Sequence, residues 1–237
     1  MEVRTIKTRI FKPREDLDGF IKQYVKKLPD RSVLVVTSKI VALAEGRLVR
    51  YESPKQKEDL IKKESQWAKK TKYTWLTIKD NTVMSSAGID ESNADGQLIL
   101  LPKDSFKTAQ TLRSELKKYY KVKNLGVLIT DSRLMPLRAG VVGVAVGYAG
   151  FKGIRNYIGK PDLFGRKLTV SRTDVADSLA TTAGLVMGEG REQTPLGVIL
   201  DAPVEFVDKI KKQELHIEVA DDVYGPLYRK LWRNKRG

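Results

Sequence analysis

Ser32-Val33-Leu34-Val35-Val36-Thr37-Ser38-Lys39-Ile40-Val41-Ala42-Leu43-Ala44 decides the first layer of the fold. The Val/Leu run at 32–37 has the unbroken apolarity of a strand buried on both faces. Ile40–Ala44 continues it as a helix, and Glu45-Gly46-Arg47 turns the chain. Between strand and helix stand Ser38 and Lys39. A strand that ends in Ser-Lys at a helical start suits a phosphate contact. A helix cap followed by an exposed lysine fits the same residues.

Upstream of that unit, Val3–Phe11 alternates loosely and reads as a strand that Pro13 ends. Glu15–Lys27 carries Leu17, Phe20, Ile21, Tyr24 and Val25 at helical spacing. Downstream, Pro54–Lys72 reads as a highly charged helix, with Ser53 placed to cap it and Pro54 suited to its first position. Tyr73–Ile78 reads as a strand and leads to Met84–Gly96, a loop holding Asp90 and Asn93. An acid, hydroxyls and an amide in a glycine-flanked loop can receive a hard cation and a phosphate. The alternative is an Asx-rich turn that satisfies its own backbone.

Asp104–Tyr120 reads as a helix with Phe106, Ala109, Leu112 and Leu116 on one side. Leu125–Ile129 is a buried strand, and Thr130-Asp131-Ser132 stands at its carboxyl end, where α/β proteins commonly place ligands. Asp131 is a second candidate cation ligand, with Arg133 and Arg138 following as partners for phosphate or carboxylate. A capped turn with surface arginines is the competing reading. The glycines of Gly140–Gly153 match neither the dinucleotide nor the P-loop fingerprint, so close strand packing is the better account. Leu168–Arg172 reads as a strand, Thr173–Met187 as an Ala-rich helix, and Leu196–Leu200 as a last strand. In the polar loop Gly188–Pro195, Glu189 offers another carboxylate, or Gly188 simply ends the helix. The tail from Pro203, with its basic end at Tyr228–Arg236, reads as a docking helix or a partly disordered arm. Strands and helices alternate irregularly, which predicts an α+β fold over a doubly wound sheet.

Composition narrows the chemistry. The 237 residues contain no cysteine and one histidine, His216, so thiolate zinc, cysteine nucleophiles and a Ser-His-Asp triad are set aside. The start is too polar for a signal peptide, and no apolar run approaches the roughly 20 residues that span a bilayer. The cytoplasm is the expected location. The net charge of +15 falls largely at Lys62–Lys72, Lys117–Lys123, Lys209–Lys212 and Arg229–Arg236. Such dispersed charge, without a readout module or an aromatic stripe, argues for a solvated surface or a small polyanionic ligand over nucleic acid.

Several segments, taken together and in order, resemble one family. They are Thr37–Val41 with Ala44–Arg47, Ala87–Asn93, and Thr130–Ser132 with Pro136, Arg138 and Gly140. Gly143–Gly147, Asp162–Arg166 and Val186–Glu189 complete the series. The family is the gamma-glutamyl ligases of the deazaflavin coenzyme pathway, including a bacterial branch ascribed to folate metabolism. The resemblance covers a ligase-like region at 3–202, in one or two subdomains, and leaves a basic extension at 203–237 unmatched.

The resemblance implies an irregular mixed-sheet α+β ligase fold that pairs as an intertwined homodimer. It implies GTP (or ATP) as co-substrate, Mn2+ or Mg2+, and potassium as a helper ion. L-glutamate is joined to a carboxylate-bearing cofactor precursor through an acyl phosphate. Carried over by motif, Asp90, Asp131, Ser132 and Glu189 are the implied metal ligands. Arg9, Ile10, Phe11, Lys12, Ser38, Lys39, Asn93, Met187, Gly188, Gly190, Arg191, Glu192, Gln193 and Thr194 are the implied nucleotide contacts. Arg138 is the implied catalytic contact to phosphate or carboxylate. The chain departs from the family at Leu43, where a lysine is usual, and at Met135 and Leu137, where an arginine and an aromatic are usual. Those changes bear on which acceptor is held, deazaflavin or folate type. A non-catalytic nucleotide-binding relative is the alternative, with a nucleic-acid-binding protein behind it.

Overall fold

The Val-rich run at 32–37 is the middle strand of a five-stranded sheet in a computed structural model that describes residues 1–228. The basic end at 229–236 lies outside the described residues. The chain divides into two compact units, Met1–Arg47 with Pro102–Glu214, and Leu48–Leu101 with the chain from Leu215. Both mix strands and helices, as expected for α+β.

The first unit begins with β1 (Glu2–Ile6), α1 (Leu17–Tyr24), β2 (Ser32–Thr37) and α2 (Ser38–Ala44). The second unit supplies β3 (Leu48–Val49), α3 (Pro54–Glu64), β4 (Trp67–Lys70), β5 (Trp75–Lys79), β6 (Thr82–Ser85) and β7 (Leu98–Ile99). The first unit resumes with α4 (Ser105–Tyr120), β8 (Leu125–Leu134), β9 (Val141–Ala149), β10 (Ile154–Asn156), β11 (Arg172–Asp174), α5 (Val175–Met187) and β12 (Leu196–Leu200). Among the described residues no helix is long and apolar enough to cross a membrane.

In the first unit the sheet order is β1-β12-β2-β8-β9, with β2 and β8 parallel and every other pair antiparallel. Alternation along the strands sends Leu34, Val36, Leu125, Val127 and Ile129 to one face, where Phe20, Ile21, Val41, Leu112 and Leu116 of α1, α2 and α4 cover them. Each such side chain, fully buried, contributes about 1.5–3 kcal/mol. The opposite face carries α5, with Ala180 against Gly143 and Met187 against Gly197.

Strand β9 serves both faces because it holds a bulge. Ile129 pairs with Gly147 but Thr130 pairs with Ala145, so Val146 is the extra residue. Gly143 therefore meets α5, where a Cβ would come within 2.3 Å of the Ala180 oxygen. Gly147 meets α4, where a Cβ would lie 2.4 Å from the Ser105 carbonyl carbon. Close packing is thus the reason for these glycines, as the sequence predicts.

Four boundaries differ from the sequence reading. Strand β1 stops at Ile6, because the chain then leaves the sheet: the Thr8 N–H donates to the Gln193 carbonyl at 2.9 Å. The charged helix starts at Ser53-Pro54 as expected but ends at Glu64, and Trp67–Lys70 pairs with Trp75–Ile78 as a strand. Strand β8 does not end at Ile129; Thr130–Leu134 remain paired with β9. The strand expected at Leu168–Arg172 forms only at Arg172–Asp174, paired with β10.

The tail is anchored as far as Glu214. Glu214 Oε1 accepts from the Tyr148 hydroxyl at 2.6 Å and the Gly153 N–H at 2.7 Å. The second unit is a three-stranded sheet, β4-β5-β6, and a two-stranded one, β3-β7, with Ile61, Ile89, Leu98 and Leu100 clustered as its core.

Candidate active site

The parallel register of β2 and β8 sets Thr37 opposite Thr130, so the residues that follow them emerge side by side. Those residues are Ser38 and Asp131. The buried Ser38 hydroxyl donates to Asp131 Oδ1 at 2.8 Å. Lys39, half-buried, is the next residue of α2. The serine and aspartate, 93 positions apart in the chain, are therefore placed by sheet register, and the site sits where β2 ends and β8 runs on past it.

Ser132, one step along β8, faces the other way and donates its hydroxyl to Glu189 Oε1 at 2.5 Å. Glu189 lies in the loop that closes α5. Gly188 caps that helix at φ 83°, and a Cβ there would lie 2.5 Å from the Glu192 carboxyl carbon, so only glycine fits. The loop is tied to itself and to the amino-terminal segment. The Gly190 N–H donates to Glu192 Oε2 at 2.8 Å, and the Thr194 hydroxyl to the Met187 carbonyl at 2.5 Å. The bond from Thr8 to Gln193 then brings the segment before Arg9–Lys12 against this loop.

Of the implied nucleotide contacts, Met187 and Phe11 have their side chains in the core, at 3% and 4% exposure. They have only backbone to offer a ligand. Ile10 and Arg191 are exposed. Arg9 is engaged: it pairs with Glu15 and lies over the Phe20 ring, 5.1 Å from its centroid. Together with the Lys12 N–H at 3.0 Å, the Arg9 guanidinium draws the Glu15 carboxyl down to about 2. Sequence reading gives Glu15 no part beyond the start of a helix, which in the structure begins at Leu17. Arg138 is exposed on the β8–β9 turn, where its N–H donates to the Met135 carbonyl at 3.2 Å.

Asp90 and Asn93 belong to the second unit. Asp90 pairs through its backbone with Ile99, and its two oxygens accept from the Ser92 N–H at 2.7 Å and the Ser92 hydroxyl at 2.9 Å. Asn93 is exposed with φ 53°. The Asx-turn reading thus describes the geometry. Among the described residues no group of three or more His, Cys, Asp or Glu side chains is placed to hold a metal ion.

Strand β9, the partner of β8, is held to α5 by an acid and a threonine the sequence did not single out. Asp177 Oδ1 accepts the Ala145 N–H at 2.8 Å, beside the bulge, and Thr181 donates to the Gly143 carbonyl at 2.7 Å. Asp174 caps α5 by accepting the Asp177 N–H at 2.9 Å, and burial pushes its carboxyl up to about 6. A sequence signal existed for the cap alone, an Asp before an apolar helix.

The sequence matches the family described as F420-0:Gamma-glutamyl ligase at residues 5–78 and 53–201. The chain belongs to that family. Among its relatives, the Coenzyme F420:L-glutamate ligase of Methanococcus maripaludis is 30% identical over 94% of this chain and 97% of its own length. The enzyme of that name from Archaeoglobus fulgidus is 33% identical over 80% and 83% of the two chains. Its counterpart from Methanocaldococcus jannaschii is 30% identical over 87% and 90%. The family match takes in every site residue discussed above, since the last of them is Thr194.

Proposed function

We propose that this chain is a gamma-glutamyl ligase that joins L-glutamate to a carboxylate-bearing cofactor precursor of deazaflavin or folate type, driven by GTP or ATP. The observation that carries the reading is the pairing of Ser38 with Asp131 just past the last parallel pair of β2 and β8, in a member of a ligase family. The ligase-like region is residues 3–202.

The reaction makes definite demands on the protein. A carboxylate oxygen of the acceptor attacks the terminal phosphorus of the nucleotide, and the nucleoside diphosphate leaves. The glutamate amine then attacks the acyl carbon; the C–N bond forms, the C–O bond to phosphate breaks, and the ammonium proton is lost. Ser38, Lys39 and the 187–194 loop bind the nucleotide, with the loop offering backbone N–H groups and Lys39 a cation. Arg138 takes a phosphate or carboxylate on the acceptor side, and Arg9–Lys12 complete the nucleotide contacts.

Asp131, Ser132 and Glu189 offer only hard oxygen donors, which suit Mg2+ or Mn2+, with potassium as an accessory ion. Bound divalent cations supply neutralisation of the charge on the transferring phosphoryl group. A homodimer accounts for the large apolar side chains that the first unit leaves exposed, among them Leu137, Leu163, Phe164 and Leu185.

The test is direct. The protein is incubated with L-glutamate, GTP or ATP, Mg2+ or Mn2+, and either the deazaflavin precursor or a reduced folate. Mass spectrometry then reads the addition of a glutamyl unit, with Asp131→Ala as control. Product from one acceptor, absent in the variant, is expected. Nucleotide binding without product from either acceptor would leave the non-catalytic relative standing and remove the ligase reading.

A further inference from the structure

The amino ends of β2 and β8 border an open cavity of about 560 Å3, lined in part by Arg31, Asn124, Arg155, Glu205 and Phe206. All of it belongs to the first unit. Strand β2 is six residues long, so this cavity lies roughly 20 Å from Ser38 at the strand's other end.

The cavity gathers two guanidinium groups, one of which, Arg31, stands beside Asp30 and helps to lower its carboxyl. Arg31 lies over the Phe206 ring, 5.3 Å from its centroid, and Arg155 donates to the Pro203 carbonyl. Neither guanidinium forms an ion pair among the described residues. The acids nearby are engaged elsewhere. Glu205 pairs with Lys152 at 2.6 Å. Asp30 accepts the Lys123 and Asn124 N–H groups at 2.8 and 2.7 Å, and those bonds, Asn124 foremost, hold its carboxyl below the ordinary range.

The walls are fixed by backbone pairing. The Arg31 N–H donates to the Asn124 carbonyl at 2.8 Å, and Arg31 itself sits at φ 61°, uncommon for a residue with a side chain. The Lys152 N–H donates to the Glu205 carbonyl and the Val207 N–H to the Gly150 carbonyl, both at 3.0 Å. Two planar guanidinium forks held beside one concave wall match the oxygens of phosphate or carboxylate in bidentate fashion.

We propose that this cavity binds a small anionic ligand bearing phosphate or carboxylate groups, held by Arg31 and Arg155 and separate from the site at Ser38 and Asp131. The proposal goes beyond the ligase reading and stands without it. Inorganic pyrophosphate and tricarballylate serve as probes, each titrated into the full chain at constant ionic strength while amide NMR signals are followed. Saturable shifts at Val204, Glu205 and Phe206 are expected, and whichever probe gives them names the phosphate or the carboxylate source. Combining Arg31→Gln with Arg155→Gln should weaken that binding by roughly tenfold or more, the worth of a charge-assisted bond. Glu205→Gln removes the acid from the lining and should tighten it, which keeps the test open if the double variant does not fold. Absence of saturation with both probes overturns the site, as does unchanged affinity in the arginine variants, or weaker binding in Glu205→Gln.

Discussion

Asp131 and Asp90 are both half-buried aspartates in motif segments, yet they stand on different supports. Asp131 projects from a ten-residue strand whose first six residues are buried, in a sheet covered on both faces. Asp90 follows a tight turn in which Ser86, Ala87 and Gly88 all have positive φ, in a unit with a far smaller core. In the first case the scaffold fixes the side chain, and the side chain is free to be chosen for chemistry. In the second the backbone conformation is itself the fragile element. Substitution should therefore separate function from folding at Asp131 and entangle them around Asp90.

The sharpest test of that contrast is Asp131→Ala. Ligase turnover should fall by roughly 10²–10³-fold, as when a preorganised electrostatic partner is removed, while the melting temperature stays close to that of the parent. A variant that unfolds instead would break the comparison. Next come the glycines of β9. Gly147→Ala and Gly143→Ala press a methyl into helix backbone and should each cost about 3 kcal/mol, read by denaturant unfolding. Gly184→Ala is the counter-case: its Cβ would sit 3.5 Å from Gly143, an ordinary contact, and helix propensity should make it stabilising by about 0.5–1 kcal/mol.

In the second unit, Gly88→Ala combines φ 70° with a Cβ 2.6 Å from the Leu101 side chain. It should lose about 1–2 kcal/mol from the backbone alone and depress activity together with stability. Smaller effects distinguish two carboxylates by pH. Glu15, lowered to about 2, contributes stability that is present above its ordinary 4.5 and is lost as pH falls through 2. Glu15→Gln should flatten that acid limb. Asp174 has the opposite sign, because its carboxyl is raised to about 6 from 3.8 by burial. Its ionisation is a burden that develops as pH rises through that window, so Asp174→Asn should gain stability above pH 6 while keeping the helix cap.

Much of the fold was legible in the sequence, because many of its elements announce themselves locally. The Val run of β2, the helical spacing of α1, the Ser53-Pro54 start of α3 and the close-packed glycines of β9 follow from residue type and period. The rest depended on partners far away in the chain. Trp67–Lys70 carries a helix-like charge pattern and becomes a strand because Trp75–Ile78 lies beside it. Thr130–Leu134 is too polar to look like a buried strand, and past Thr130 it is β9 that keeps it extended. Candidate ligands were readable as motifs, but their company was not: Ser38 meets Asp131, and Ser132 meets Glu189, through register and loop closure. Glu15 gave no local sign, since its role comes from Arg9 across an irregular turn.

Residue 146 gives β9 a change of phase. Four positions separate Gly143 from Gly147, an even count that on a regular strand would aim both at one layer. The extra residue turns the even count odd, so one short segment leaves room for a helix above and another below. Without the bulge, a strand of the same length would aim both gaps at one layer; removing Val146 altogether leaves three positions between the glycines, an odd count that keeps them on opposite layers. The opposite phase of its two glycines, as much as side-chain identity, is therefore what this strand has to preserve.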